Sequence, residues 1–213
     1  MTISRARDRT DLSPEPLKPA RLRSSVRRDA LLDAAVELIA TGDIDDVSMD
    51  AVAERAGVSR PLVYKHFANR HELLSAVYRR EAAAVHEELS ALVGAAGTVE
   101  EMFRTLVRGS MRVVTERGHL FAVLRSAGGW TREIRDQQRA RDRDTVKAFS
   151  ARAARQYGLE RRKVGPATAV LLGAIDSVVA QWRLRPTQEN ARHLEEVYLA
   201  MVSGVYAALR SRP

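Results

Sequence analysis

The stretch SMDAVAERAGVSRPLVYKHF, residues 48–67, constrains this chain more than any other. Two short helical runs, each preceded by a serine, are separated by Ala56, Gly57 and Val58. Ser48 and Ser59 each offer a hydroxyl to the orphan N–H groups of the run that follows. Gly57 supplies the left-handed backbone that a tight turn between helices demands. Val52, Ala53 and Ala56 give the first run its apolar face, and Ala53 is small enough for two helices to cross steeply. Val58 and Val63 lock the second run onto the first. Such punctuation predicts a helix–turn–helix whose second helix presents its first turn outward.

The residues on that turn are not those that burial alone would select. Pro61, at the second helical position, lacks an N–H that would be an orphan anyway, so it stabilises the start. Arg60, Leu62, Lys65 and His66 are left facing outward. Arginine and lysine reach guanine N7 and O6 or phosphates, and Leu62 can touch a thymine methyl. Tyr64 offers a hydroxyl to phosphate, and Ser59 sits at the positive end of the helix dipole, where phosphate would lie. For His66 two readings stand, a base contact or a stack on Tyr64. Double-stranded DNA is the expected partner.

Charge points the same way. The net charge is +8 over 213 residues, the footprint of an anionic partner. Residues 1–28 carry eight basic and three acidic side chains. Pro14, Pro16 and Pro19 oppose a helix, so residues 1–20 are expected to be a disordered basic tail. Arg21 to Arg28 abut the first folded helix, which makes Arg27 a candidate for a phosphate or minor-groove contact.

Alanine, leucine, glutamate and arginine dominate, all good helix formers. The fold class is therefore all-α. About nine helices are expected, over residues 26–40, 49–56, 60–67, 70–93, 98–117, 119–127, 130–157, 160–185 and 188–210. Asn69 and Glu72 form a capping-box variant that opens the fourth. With no cysteine, disulfide and thiolate chemistry are excluded. No secretory signal opens the chain, and the longest apolar run, 167–180, is short for a bilayer and interrupted by Asp176. A soluble cytoplasmic protein is expected. No metal spacing, phosphate loop or nucleophile elbow occurs, and His71, His86, His119 and His193 are scattered singly. Neither enzyme activity nor a cofactor or metal is expected.

The last two helical stretches alternate small and large apolar residues. Val178, Tyr198, Met201, Val202, Val205 and Leu209 are candidates for a dimer interface, with Gly173, Ser177, Gly204 and Ala208 permitting close approach. The alternative is an intramolecular core. Dimerisation is favoured because one helix–turn–helix reads few bases, whereas two-fold pairing places half-sites about 34–36 Å apart. Asp176 interrupts an apolar run and needs a partner. It either pairs with an arginine across the interface or faces Arg125 in a ligand pocket walled by Phe103, Phe121, Trp130 and Trp182. The row Arg104, Arg108, Arg112 and Glu116 reads as a solvated stripe, as does the charged run 131–144.

The segment SMDAVAERAGVSRPLVYKHFANRHELLSAVY resembles the N-terminal domain of the tetracycline-repressor (TetR) family of transcriptional regulators. Ala-Gly-Val-Ser, Leu-Val-Tyr-x-His-Phe, and a basic residue near Glu-Leu-Leu carry the likeness, over about residues 26–80. Beyond these the helices match only in number, length and order. The resemblance implies that the third helix enters the major groove, with Ser48 and Tyr64 on phosphate, Arg60, Leu62 and Lys65 near bases, and Arg70 near the DNA backbone. Pro61 stands where the family usually has glycine or another small residue, and Arg70 where it usually has lysine.

The resemblance also divides the chain into a tail (1–20), a DNA-binding domain (21–68), a connecting helix (69–93) and a ligand-binding and dimerisation domain (94–213). It implies a ligand-responsive homodimer, commonly a repressor, on a pseudo-palindromic operator, a small molecule changing the separation of the reading heads. Two other readings remain open here: an architectural DNA-binding protein that senses no ligand, and a small-molecule binding protein whose helix–turn–helix is only a packing motif.

Overall fold

The computed structural model describes residues 19–42, 44–127 and 131–211, with only the backbone of residues 19–23. The described residues form eight α-helices and one 3-10 turn, with no strand, so the fold is all-α. In chain order these are α1 (Pro19–Thr41), the 3-10 turn (Ile44–Asp46), α2 (Met49–Arg55), α3 (Arg60–His66), α4 (Arg70–Gly94), α5 (Val99–Ser126), α6 (Arg132–Tyr157), α7 (Arg161–Leu184) and α8 (Gln188–Arg210).

Two expected boundaries move. α1 begins at Pro19, well before residue 26. Proline suits a first helical position, because its N–H would have no partner there. The buried stripe starts only at Leu31, and Ala30 is exposed, so apolar spacing gave no sign of the earlier turns. The second change is α5, one unbroken helix where a break at Gly118 was expected. Mid-helix glycine costs only about 1 kcal/mol. Burial of Val107 and Met111 on one side of it and Leu124 on the other offsets that cost.

Two hydrophobic cores share α4 and α5. The first gathers α1, α2, α3 and the start of α4 around Leu31, Val52, Val63, Phe67 and Leu74. Leu124 and Ile134 enter it from the end of α5 and the start of α6. The second lies between α5, α6, α7 and α8, around Phe103, Phe149, Leu171, Tyr198 and Tyr206. Arg80 of α4 ties the first core to α1, with 2.7 Å to Asp33.

The stripe on α5 is solvated, with Arg108, Arg112 and Glu116 exposed and Arg104 half-buried, but its arginines also pair with neighbouring helices. Glu195 of α8 is nearly buried and receives Arg108 at 2.6 and 2.9 Å, with Arg104 at 3.3 Å. Arg112 pairs with Glu88 of α4. These arginines clamp α5 to α8 and α4, because the helix turns that face toward neighbours bearing carboxylates. The charged run of α6 does carry exposed pairs of its own, Arg132 and Arg139 with Asp136.

α7 corrects a further expectation. The apolar run lies in a 24-residue helix whose most apolar 18-residue window has a mean hydropathy of 1.4, long and apolar enough by composition to cross a membrane. It packs here against α5, α6 and α8, and only 22% of its apolar window is buried.

Candidate nucleic-acid interface and ligand cavity

The turn between α2 and α3 is built by backbone. Gly57 has φ +65°. Val58 N–H donates to the Ala53 carbonyl at 2.9 Å and Gly57 N–H to that of Glu54 at 3.1 Å, closing the C-terminus of α2 in a Schellman arrangement. Ser48 caps α2, its hydroxyl accepting from Ala51 N–H at 3.0 Å. Val63 is fully buried beneath α3, and Ala53 is buried in α2.

Ser59 departs from expectation. It occupies the N-cap with extended backbone, yet its hydroxyl makes no capping bond. An N-cap hydroxyl normally takes the N–H of the second or third helical residue. Here the second is Pro61, which has none, and Leu62 N–H goes to the Ser59 carbonyl at 3.0 Å. The exposed hydroxyl is thus left for another acceptor or donor.

Arg60, Pro61, Tyr64 and Lys65 are exposed on α3, while Leu62 and His66 are half-buried. Arg60 is not idle: its Nε lies 2.8 Å from Asp50 of α2. Both partners are well exposed, so the pair is weak and can exchange for another anion. His66 lies nearest Phe67, ring centres 6.4 Å apart. Burial, then Lys65, Arg28 and Arg27, hold its imidazole below the ordinary histidine value. The same residues record a positive field at the end of α3. Arg27 is exposed, whereas Arg28 lies 5.0 Å over the Phe67 ring and pins α1 to that end.

Arg70, expected near the DNA backbone, makes two hydrogen bonds within the domain. Its Nε donates to the Val47 carbonyl at 2.6 Å and its Nη2 to the Ile44 carbonyl at 2.5 Å. Those carbonyls belong to the 3-10 turn and the strand of chain entering α2, so Arg70 positions α2. Asn69 caps α4 through Glu72 N–H at 2.9 Å, and the Glu72 carboxylate accepts from Ala68 N–H at 2.8 Å.

A cavity of about 960 Å³ opens between α4, α5, α6 and α7. It brings together Phe121, Arg125 and Asp176, three of the residues expected around a ligand. Phe103 is not among its walls. It is fully buried in the second core against Phe149, ring centres 4.8 Å apart. Phe149 takes the wall position instead, a residue whose place in a charged helix gave no signal. Trp130 lies outside the described residues. Trp182 packs against the second core and is absent from the cavity walls. Tyr78 of α4, also unanticipated, lines the cavity and meets Phe121 edge-on at 5.4 Å.

The interface candidates separate by face. Tyr198 and Val202 are fully buried in their own protomer, and Tyr198 donates to the Leu171 carbonyl at 2.6 Å. These two belong to the intramolecular core. Val178, Val205 and Leu209 are half-buried against it. Met201 alone is exposed. The uncovered apolar side chains are Val170 and Leu184 of α7 with Val197 and Met201 of α8, beside Gly173 and Gly204, whose Cβ positions open onto empty space. Periodicity identified both helices correctly but not which stripe each turns inward.

Residues 31–77 match the family model described as "Bacterial regulatory proteins, tetR family". The HTH-type transcriptional regulator BetI of Rhizobium meliloti is 36% identical over 87 residues, 41% of this chain and 43% of that one. This chain thus spans under half the length of that relative. A transcriptional regulator structure from Pseudomonas aeruginosa PAO1 superposes with a TM-score of 0.70 at 18% identity, covering 90% of this chain and 95% of the other. FadR from Bacillus subtilis, solved with stearoyl-CoA, superposes with a TM-score of 0.60 at 19% identity, covering 83% and 98%. Residues 31–77 thus carry the N-terminal signature of that family model, and the chain as a whole shares the fold of these solved regulators.

Proposed function

We propose that this protein is a ligand-responsive transcriptional regulator, a repressor, that binds a pseudo-palindromic operator as a homodimer in the cytoplasm. The observation that carries the reading is α3 itself. Val63 is sealed inside while Arg60, Tyr64, Lys65 and the unspent Ser59 hydroxyl face outward. Guanidinium and ammonium groups reach base edges and phosphates from such a helix. BetI, which matches across this domain, is named a transcriptional regulator. The open apolar stripe of α7 and α8 supports pairing of two copies, and a second reading head gives the two half-sites that specific recognition needs.

The cavity supports effector binding, and the FadR neighbour is precedent for a small molecule in this fold. The cavity touches both cores, since Phe121 packs against the reading-head core and Phe149 belongs to the other. A ligand that fits one spacing of the heads better than another shifts the population, and only that difference in affinity releases DNA.

Selection of bound sites from random duplex DNA tests the reading. Enrichment of a two-fold-related sequence is expected. The double variant Arg60→Ala with Lys65→Ala should then bind selected and scrambled duplexes alike. Retention of full discrimination by that variant would exclude α3 as the reading element.

A further inference from the structure

The effector reading leaves the ligand unspecified, and the cavity walls narrow its chemistry. Val85 and Leu89 of α4, Leu106 and Val114 of α5, and Leu172 and Ile175 of α7 make a long apolar lining. The end nearest the reading head is different. There Tyr78, almost wholly buried, lines the cavity together with Arg125, whose positive charge acts on the Tyr78 hydroxyl. Arg141 adds a second positive charge near the same hydroxyl. Among the described residues neither guanidinium enters an ion pair. The carboxylates of the lining, Asp142, Asp144 and Asp176, are exposed on α6 and α7 and pair with neither arginine. An apolar channel ending in an uncompensated guanidinium beside a phenol hydroxyl is complementary to a chain that ends in an anion.

We propose that the cavity binds an elongated apolar molecule ending in a carboxylate, the chain lying along α4, α5 and α7 and the head accepting hydrogen bonds from Arg125 and the Tyr78 hydroxyl. The proposal rests on the cavity being the effector site. It also says how a bound head would be felt. Tyr78 stacks edge-on against Phe121 inside the reading-head core, so drawing Arg125 onto a carboxylate loads the contact between α4 and the end of α5.

The test is calorimetry on the full chain with decanoate and decyltrimethylammonium below their micelle concentrations and 1-decanol below its aqueous solubility. Decanoate should bind about tenfold more tightly than the alcohol, with the cation weakest. Arg125→Gln should bring decanoate down to the level of the alcohol and leave the alcohol unchanged. Tyr78→Phe, which keeps the ring, should weaken decanoate several-fold. Preferred binding of the cation, an undiminished preference for decanoate in both variants, or binding of none of the three overturns the proposal. Operator occupancy is scored separately. Decanoate that binds through Arg125 without altering occupancy sustains the ligand class and overturns the ligand-responsive reading.

Discussion

Arg70 and Ser59 trade the roles their positions suggest. The arginine near the start of α4 is spent on the Val47 and Ile44 carbonyls, while the serine ahead of α3 keeps its hydroxyl. Arg70→Ala removes two charge-assisted bonds and should cost about 2–3 kcal/mol. Thermal unfolding should fall by roughly 5–10 °C. The salt dependence of DNA binding should keep its slope, whereas loss of a true phosphate ligand reduces it by about 1. His66 gives a pH prediction of definite sign. Its value in the folded chain lies below 6.5, so the unfolded chain takes up the proton first. The associated stability is present above that value and is lost as the pH falls through the folded one. Phosphates near α3 favour the imidazolium, so DNA should bind more tightly as the pH falls from about 7.5 to about 6. His66→Gln should flatten that part of the pH profile, measured by operator titration at fixed salt.

At the scale of elements, two glycines act by different physics. Gly57 has open space around it, so its role is conformational alone. Gly57→Ala puts a β-carbon into the left-handed region and should cost about 1–2 kcal/mol. Gly57→Asn should recover part of that loss in chemical denaturation. Gly109 is instead a packing glycine, buried where α5 crosses α4. A β-carbon there would overlap the end of the Leu89 side chain, which also lines the cavity. Leu89 is flexible enough to swing away, and the cavity is the space open to it. Gly109→Ala should therefore fold with near-native stability and bind a cavity ligand about tenfold less well, as read by calorimetry. Coupling between the halves follows from the same two helices. α4 and α5 each run through both cores, so no change in the cavity wall is confined to the C-terminal half.

At the scale of the whole molecule, the uncovered stripe of α7 and α8 is the surface on which the proposed pairing of two copies rests. Val170 is 73% exposed and Met201 42%, on helices whose opposite faces are fully packed. The double variant Val170→Glu with Met201→Glu should leave monomer folding unchanged within about 0.5 kcal/mol, since both sites are solvated in the protomer. It should sediment as a monomer at micromolar concentration, where the proposal expects the parent to be a dimer. Its affinity for a two-half-site operator should collapse toward that for a single half-site.

Much of this was written into local sequence. The caps at Ser48, Asn69 and Thr98, the turn at Gly57 and the bounds of α8 depend on a few adjacent residues and their backbone preferences, so reading them needs no knowledge of neighbours. The family signature lies in that same local code. What the sequence could not determine was which way each helix rolls and what meets it there. Tyr198 and Val202 share a spacing with Met201 compatible with either face, and only the packing of α8 on α7 turned the first two inward. Glu195, far along the chain, decided that Arg104 and Arg108 are clamps. Likewise Phe121, Arg125 and Asp176 share a cavity because four helices converge there, while Phe103 is drawn into the core. Caps and turns are short-range and belong to the sequence. Burial, ion pairing and cavities depend on contacts between residues far apart in the chain, and only the assembled helices decide them.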